Sequence, residues 1–200
     1  MSHHEDALSH GALTMREARI SRPSYGDFLR GLLDNPRGVS APTPSSAVLA
    51  KTIADEVDVS VPGLVVELGP GTGAVTAGLV ARGLAPRLVA VEQDENFVAM
   101  VKARFGGVDV RQGDALLFEA YLPPEAEVAA VVSGLPLLNF PLAARKALLA
   151  RALARVRPGG VFVQLSYSWK PPVPPDGAKL SRRLVLRNFP PACVWTYRAA

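Results

Sequence analysis

Residues Val65 to Val75 read VVELGPGTGAV. A short apolar run carries one acid, Glu67, and passes at once into a loop holding Gly69, Pro70, Gly71, Thr72 and Gly73. An apolar run of this length, closed by glycine, reads as a buried strand. Glycines at 69, 71 and 73 let the backbone pass close to a ligand and turn into a helix, whose first N–H groups have no partner within the helix. A dinucleotide pyrophosphate would be repelled by Glu67. A carboxylate here suits a ligand with a cationic group, such as the amino-acid end of S-adenosylmethionine.

The pattern extends outward from this loop. LVVEL is followed by a helical stretch from Thr76 to Arg82, and RLVAVE (Arg87 to Glu92) reads as a second strand. Asp94 is placed to cap a helix over DENFVAMVKARF. VDVRQGD and VAAVVSGL supply strands three and four. LAARKALLARALARVRPGG is helical and closed by Pro158-Gly159-Gly160, and VFVQLSYS is a fifth strand. Strands alternating with helices predict an α/β fold with a doubly wound parallel sheet covered on both faces. After Trp169, KPPVPP cannot be helix or central strand. LVLRN and CVWTYR then predict an antiparallel pair at the sheet edge.

Ligands of such sheets bind at the carboxyl ends of the strands. Glu92, followed by Gln93, ends strand two, where a carboxylate can accept hydrogen bonds from both ribose hydroxyls. Gly113-Asp114-Ala115 end strand three, where an acid can meet an adenine amino group. A glycine loop with acids ending the next two strands is far more specific than a glycine loop alone.

Composition narrows the chemistry. The 200 residues are 48% hydrophobic and 20% charged, as in a soluble globular protein. Cys193 is the only cysteine, so no internal disulfide forms. The polar N-terminus lacks the apolar region of a secretory signal. The longest apolar stretch, Val128 to Ala144, contains Gly134, Pro136, Asn139 and Pro141 and does not read as a membrane span. The histidines are His3, His4 and His10, which argues against an imidazole base and against a metal centre. From residue 143 onward, eleven basic residues face only Asp176, whereas the preceding part has eleven basic and seventeen acidic residues. Such a basic segment suits nucleic acid, an anionic membrane, or simply a solvated face. Near the start, Tyr25, Phe28, Leu29, Leu32 and Leu33 form one apolar helical stripe, ended by Asn35-Pro36. The chain therefore divides into residues 1–40, a tail with an amphipathic membrane or lid helix, and residues 41–200, the catalytic domain.

VVELGPGTGAVT and VAVEQDENF resemble the first two motifs of the class I S-adenosylmethionine-dependent methyltransferases. That resemblance implies a seven-stranded Rossmann-like sheet with an antiparallel last strand. VVSGLPLLNFP is similar to the substrate motif of the bacterial phospholipid N-methyltransferases, which methylate phosphatidylethanolamine toward phosphatidylcholine. FLRGLLDNPRGVSAPTPSS resembles their amphipathic segment and proline-serine turn, and NFPPACVWTYR resembles their C-terminal strand. The likeness runs from Tyr25 to Arg198. The neighbouring ribosomal RNA adenine dimethyltransferases have Asn-Leu-Pro followed by an aromatic residue as their fourth motif. Here Ser133-Gly134 precede Leu135-Pro136 and Leu137 follows, so no amide from this motif holds the acceptor and no aromatic face stacks a base.

The resemblance implies S-adenosylmethionine as cofactor, S-adenosylhomocysteine as product and a phospholipid amine as substrate. An ornithine lipid or an rRNA adenine is the alternative acceptor. Ser133, Gly134, Leu135 and Pro136 are expected to shape the acceptor pocket, with Ser133 also beside the cofactor. Tyr25 and Tyr167 are expected to hold the methylated ammonium on their aromatic faces. Lys170, Arg182 and Arg183 are candidates for the lipid phosphate. The expected setting is the inner face of the cytoplasmic membrane, on an anionic surface, with no nucleic acid, protein partner or metal.

Overall fold

The computed structural model describes residues 44–188 and 190–200. The expected N-terminal helix and Tyr25 lie outside these residues. In chain order the elements are α1 (Pro44–Asp55), β1 (Leu64–Leu68), α2 (Ala74–Ala81), β2 (Leu88–Glu92), α3 (Glu95–Arg104), β3 (Asp109–Gln112), β4 (Val128–Ser133), α4 (Leu142–Arg155), β5 (Val156–Ser166), β6 (Lys179–Val185) and β7 (Ala192–Arg198). A 3-10 segment, Ala115–Tyr121, links β3 toward β4.

One seven-stranded sheet runs in the order β3-β2-β1-β4-β5-β7-β6. The first five strands pair in parallel, and β7 is antiparallel to both β5 and β6. This is the seven-stranded sheet with a reversed last strand that the family resemblance implies. β1, β2 and β4 read as continuous apolar runs because both their faces are covered. Val66, Leu68, Val89 and Val131 pack with Phe118, Leu148 and Phe162 on one face. Val65, Leu88 and Val132 pack with Ile53, Val57 and Leu79 on the other.

Several boundaries differ from the sequence reading. PTPSS was expected as a turn, yet Pro44 is the first residue of α1; proline's missing N–H costs nothing at a helix start. α4 stops at Arg155 and β5 begins at Val156, ahead of the expected VFVQLSYS. Val128 pairs Val156 and Ala130 pairs Val161, so Arg157 to Gly160 bulge out of the ladder. β6 starts at Lys179, because all seven of its residues find partners on β7, while Leu186 and Arg187 of LVLRN form the turn. Lys179, Arg182 and Arg183 thus lie on an edge strand, where charge discourages further strand pairing. No helix among the described residues is long and apolar enough to cross a membrane.

Candidate active site

The strand order reverses between β1 and β4, and the motif residues gather where these strands end. Gly69, Gly71 and Gly73 all have positive φ, at 67, 53 and 80°. Gly73 sits in the left-handed region as the residue before α2, and a Cβ there would lie 2.6 Å from the Phe105 ring. Thr72 follows Gly71, and its carbonyl accepts from Arg104 at 3.2 Å.

Glu67 is 1% exposed. Its Oε2 accepts from Thr76 Oγ1 at 2.8 Å. Its Oε1 has no partner among the described residues. Burial pushes the carboxyl up to about 7; the Thr76 hydroxyl opposes the rise and the charge of Glu92 adds to it. A buried carboxylate with one bare oxygen, below a glycine loop, fits a cationic ligand group.

Glu92 is fully buried, and its carboxylate organises backbone. Oε2 accepts from Gly71 N at 3.0 Å, and Oε1 accepts from Gln93 N at 2.8 Å and Asp94 N at 3.0 Å. The expected ribose ligand is therefore first the tie between the glycine loop and the start of α3. A carboxylate offers about four acceptor positions, so the side nearer the loop keeps capacity for a hydroxyl. Asp94 caps α3 as expected, accepting from Asn96 N and Phe97 N. Gln93 is exposed.

Gly113 N donates to Glu92 O at 2.8 Å, which joins the third motif to the second. Asp114 is exposed and caps the 3-10 segment through Leu116 N, while Ala115 is buried. Sequence reasoning passed over Tyr121. Its hydroxyl accepts from Asp114 N at 3.1 Å, and a Cβ on Gly113 would fall 2.0 Å from that oxygen.

On the other side of the reversal, Ser133 pairs with Leu68 of β1 and Gln164 of β5. Ser133 Oγ accepts from Leu135 N at 3.3 Å, so this hydroxyl shapes the turn. Gly134 N donates to Leu68 O, and a Cβ on Gly134 would sit 2.8 Å from Gly69 O. The Ser133–Pro136 turn thus rests directly on the glycine loop. Leu135 is buried and Pro136 half-buried. Gln164, also missed from the sequence, is buried and donates from Nε2 to Leu135 O at 2.9 Å. Its position inside a strand gave no periodicity signal.

Tyr167 and Trp169 leave the end of β5 and are 54% and 59% exposed. Lys170 is exposed beside them, and Arg182 donates to Trp169 O and lies over the Trp195 ring at 5.4 Å. Arg183 departs from the expectation. Adjacent strand residues face opposite sides, and Arg183 pairs with Glu56 at 2.6 Å, away from Arg182. Arg182 thus reaches the segment that carries Lys170, whereas Arg183 points to the opposite side of the sheet. Among the described residues, no three His, Cys, Asp or Glu side chains form a metal-holding group.

Residues 65–160 match the family model described as a methyltransferase domain. The ornithine lipid N-methyltransferase of Singulisphaera acidiphila is 30% identical over 146 residues, covering 70% of this chain and 76% of that protein. Ribosomal RNA small subunit methyltransferase A of Burkholderia multivorans is 42% identical over 77 residues, 36% of this chain and 28% of that protein. In fold, the 1,6-didemethyltoxoflavin-N1-methyltransferase of Burkholderia thailandensis, solved with S-adenosylhomocysteine, aligns at a TM-score of 0.61 and 21% identity, over 88% of this chain and 86% of that one. With this fold, this loop geometry and a relative matched over most of its length, the chain belongs to the class I S-adenosylmethionine-dependent methyltransferases.

Proposed function

We propose that this methyltransferase acts on the headgroup amine of an amino lipid at a membrane surface, with phosphatidylethanolamine and its mono- and dimethyl forms as acceptors. The observation that carries this reading is the extent of the lipid-modifying relative. A match over 70% of a 200-residue chain necessarily includes residues 61–140. It therefore spans the Ser133–Pro136 acceptor turn as well as the glycine loop. The match to the RNA-modifying relative covers 36% of the chain.

Glu67 is suited to the cofactor's ammonium, the spare capacity of Glu92 to its ribose, and Asp114 to its adenine. When bound, the cofactor supplies a methyl group on a cationic sulfur. The chain's part is then mostly alignment. A primary ammonium has a pKa of about 10 in water, and burial near a positive charge favours the neutral, nucleophilic amine. Tyr167 offers an aromatic face for the cationic product, and Lys170 and Arg182 are set to meet a phosphate.

The outer surface on this side also suits a lipid. Residues 134–141, 167–175 and 186–191 follow β4, β5 and β6 and contain no acid. They carry Leu138, Tyr167, Trp169 and Leu186, each more than half exposed, together with Lys170 and Arg187. Exposed apolar side chains interleaved with cations fit an anionic membrane interface. The apolar stripe that the sequence carries on residues 25–33 is a second candidate membrane contact.

The test is methyl transfer from labelled S-adenosylmethionine to vesicles that contain phosphatidylethanolamine or ornithine lipid, each with anionic lipid. Labelled methylated phosphatidylethanolamines support the reading. Label only in ornithine lipid, whose amine is the second reading favoured by the relative, moves the acceptor there. Label only in RNA refutes both.

A further inference from the structure

The register places Leu68, Ser133, Gln164, Trp195 and Arg182 in a single row across β1, β4, β5, β7 and β6. Adjacent strands lie about 4.8 Å apart, so Gln164 is one strand from Ser133 and about 10 Å from the end of β1. Gln164 is 0% exposed, with Ser133 and Trp195 as its register neighbours. Its Nε2 is used, donating to Leu135 O and Leu165 O. Its Oε1 has no partner among the described residues, nor has the neighbouring Trp195 Nε1. Nearly all buried polar atoms in folded proteins are paired, so a bare carbonyl oxygen beside an acceptor turn asks for a ligand. Leu135, whose carbonyl it holds, and Ser166, two residues along β5, keep 5% and 7% of their surface.

We propose that Gln164 Oε1 accepts a hydrogen bond from the N–H of the acceptor amine and so turns the nitrogen lone pair toward the methyl donor. This rests on the amino-lipid reading above. In the step, the lone pair forms the new C–N bond while the C–S bond breaks and its electrons stay on sulfur. The nitrogen takes the positive charge and loses a proton to solvent before another round. A neutral primary amine has two N–H bonds, a monomethyl amine one and a dimethyl amine none. Gln164 therefore assists the first two transfers and not the third.

The test compares rates on primary, monomethyl and dimethyl amino lipids for the wild type and Gln164→Met. Gln164→Leu replaces that variant if its thermal melt shows misfolding. Loss of one hydrogen bond of ordinary strength predicts a fall of about tenfold on the primary and monomethyl lipids. The dimethyl lipid should change by less than about twofold. An equal fall on all three overturns the proposal. Gln164 would then act only by holding the Leu135 carbonyl or by taking the Trp195 indole N–H. If the wild type binds cofactor and labels none of the three, the amino-lipid reading itself fails and this proposal with it.

Discussion

Replacing Glu67 by glutamine should strengthen the fold and weaken cofactor binding in the same molecule. The Glu67 carboxyl is fully buried, holds one hydrogen bond from Thr76 and is pushed up to about 7 from an ordinary value of 4.5. Below pH 4.5 the carboxyl is protonated in both folded and unfolded chains, and burial costs little. Between 4.5 and 7 the unfolded chain releases its proton and the folded chain keeps it, so stability falls as pH rises. Above about 7 both are ionised and the cost is complete, at about 3 kcal/mol for a rise of this size. Glutamine has nearly the same shape, can still bond Thr76 and never ionises.

Glu67→Gln should therefore melt with the wild type near pH 4.5 and above it at pH 8. About 3 kcal/mol corresponds to roughly 6–12 °C in a domain of this size. Scanning calorimetry across that range measures the gap. Binding should move the other way. If the cofactor's ammonium needs the ionised carboxylate, wild-type affinity should rise about tenfold from pH 6 to pH 8, following the ionised fraction. Glu67→Gln should bind weakly at both. Calorimetric titration with S-adenosylhomocysteine reads this directly. A melting gap that stays constant from pH 4.5 to pH 8 would show that burial does not raise this carboxyl. A wild-type affinity flat in pH would remove Glu67 as the ammonium's partner.

Gly134→Ala places a methyl 2.8 Å from Gly69 O, between two backbones that are hydrogen-bonded at the sheet's reversal. We expect a loss of about 1–3 kcal/mol in urea unfolding together with weaker cofactor binding; unchanged stability would mean the two loops are not pressed together. Trp169 is exposed and Trp195 is 5% exposed, so Trp195→Phe leaves one tryptophan on the proposed lipid face. Its emission should shift blue on anionic vesicles and be quenched by brominated acyl chains. Vesicle co-sedimentation without quenching would assign docking to another surface, and a shift produced by RNA alone would contradict the lipid reading.

The glycine loop, the alternation of strands and helices and the Asp94 cap are legible in the sequence because each is local. A capping aspartate acts on residues two and three positions ahead, and an apolar strand declares itself within five residues. The ties that make the site are not local. Glu92 reaches Gly71 across 21 residues, and Gln164 reaches Leu135 across 29. Tyr121 is distinguished from any half-buried tyrosine only by the fold of the 3-10 segment that brings its hydroxyl over Asp114 N. The basic C-terminal run shows the same limit. Its composition is plain, but only the β6–β7 register separates Arg182, which faces Trp169 and Trp195, from Arg183, which is held by Glu56.

The reversal of strand order also divides the charges at the carboxyl edge of the sheet. Glu67, Glu92, Asp94, Glu95 and Asp114 all follow or end β1, β2 and β3. The segments that immediately follow β4, β5 and β6 have none. For the amine acceptor proposed above, that division would favour methyl transfer. Carboxylates on the cofactor side can hold an ammonium and ribose hydroxyls without touching the nucleophile. A carboxylate on the acceptor side would stabilise the protonated amine, raise its pKa further above 7 and remove the lone pair. A neutral acceptor such as the Gln164 carbonyl can orient an N–H bond with far less bias toward the cation. On the proposed reading, the cations Lys170 and Arg182 would disfavour protonation of the amine and suit the phosphate of the headgroup. On the proposed reading, the acid-free half of the edge would follow from the chemistry of the nucleophile as much as from attraction to an anionic membrane.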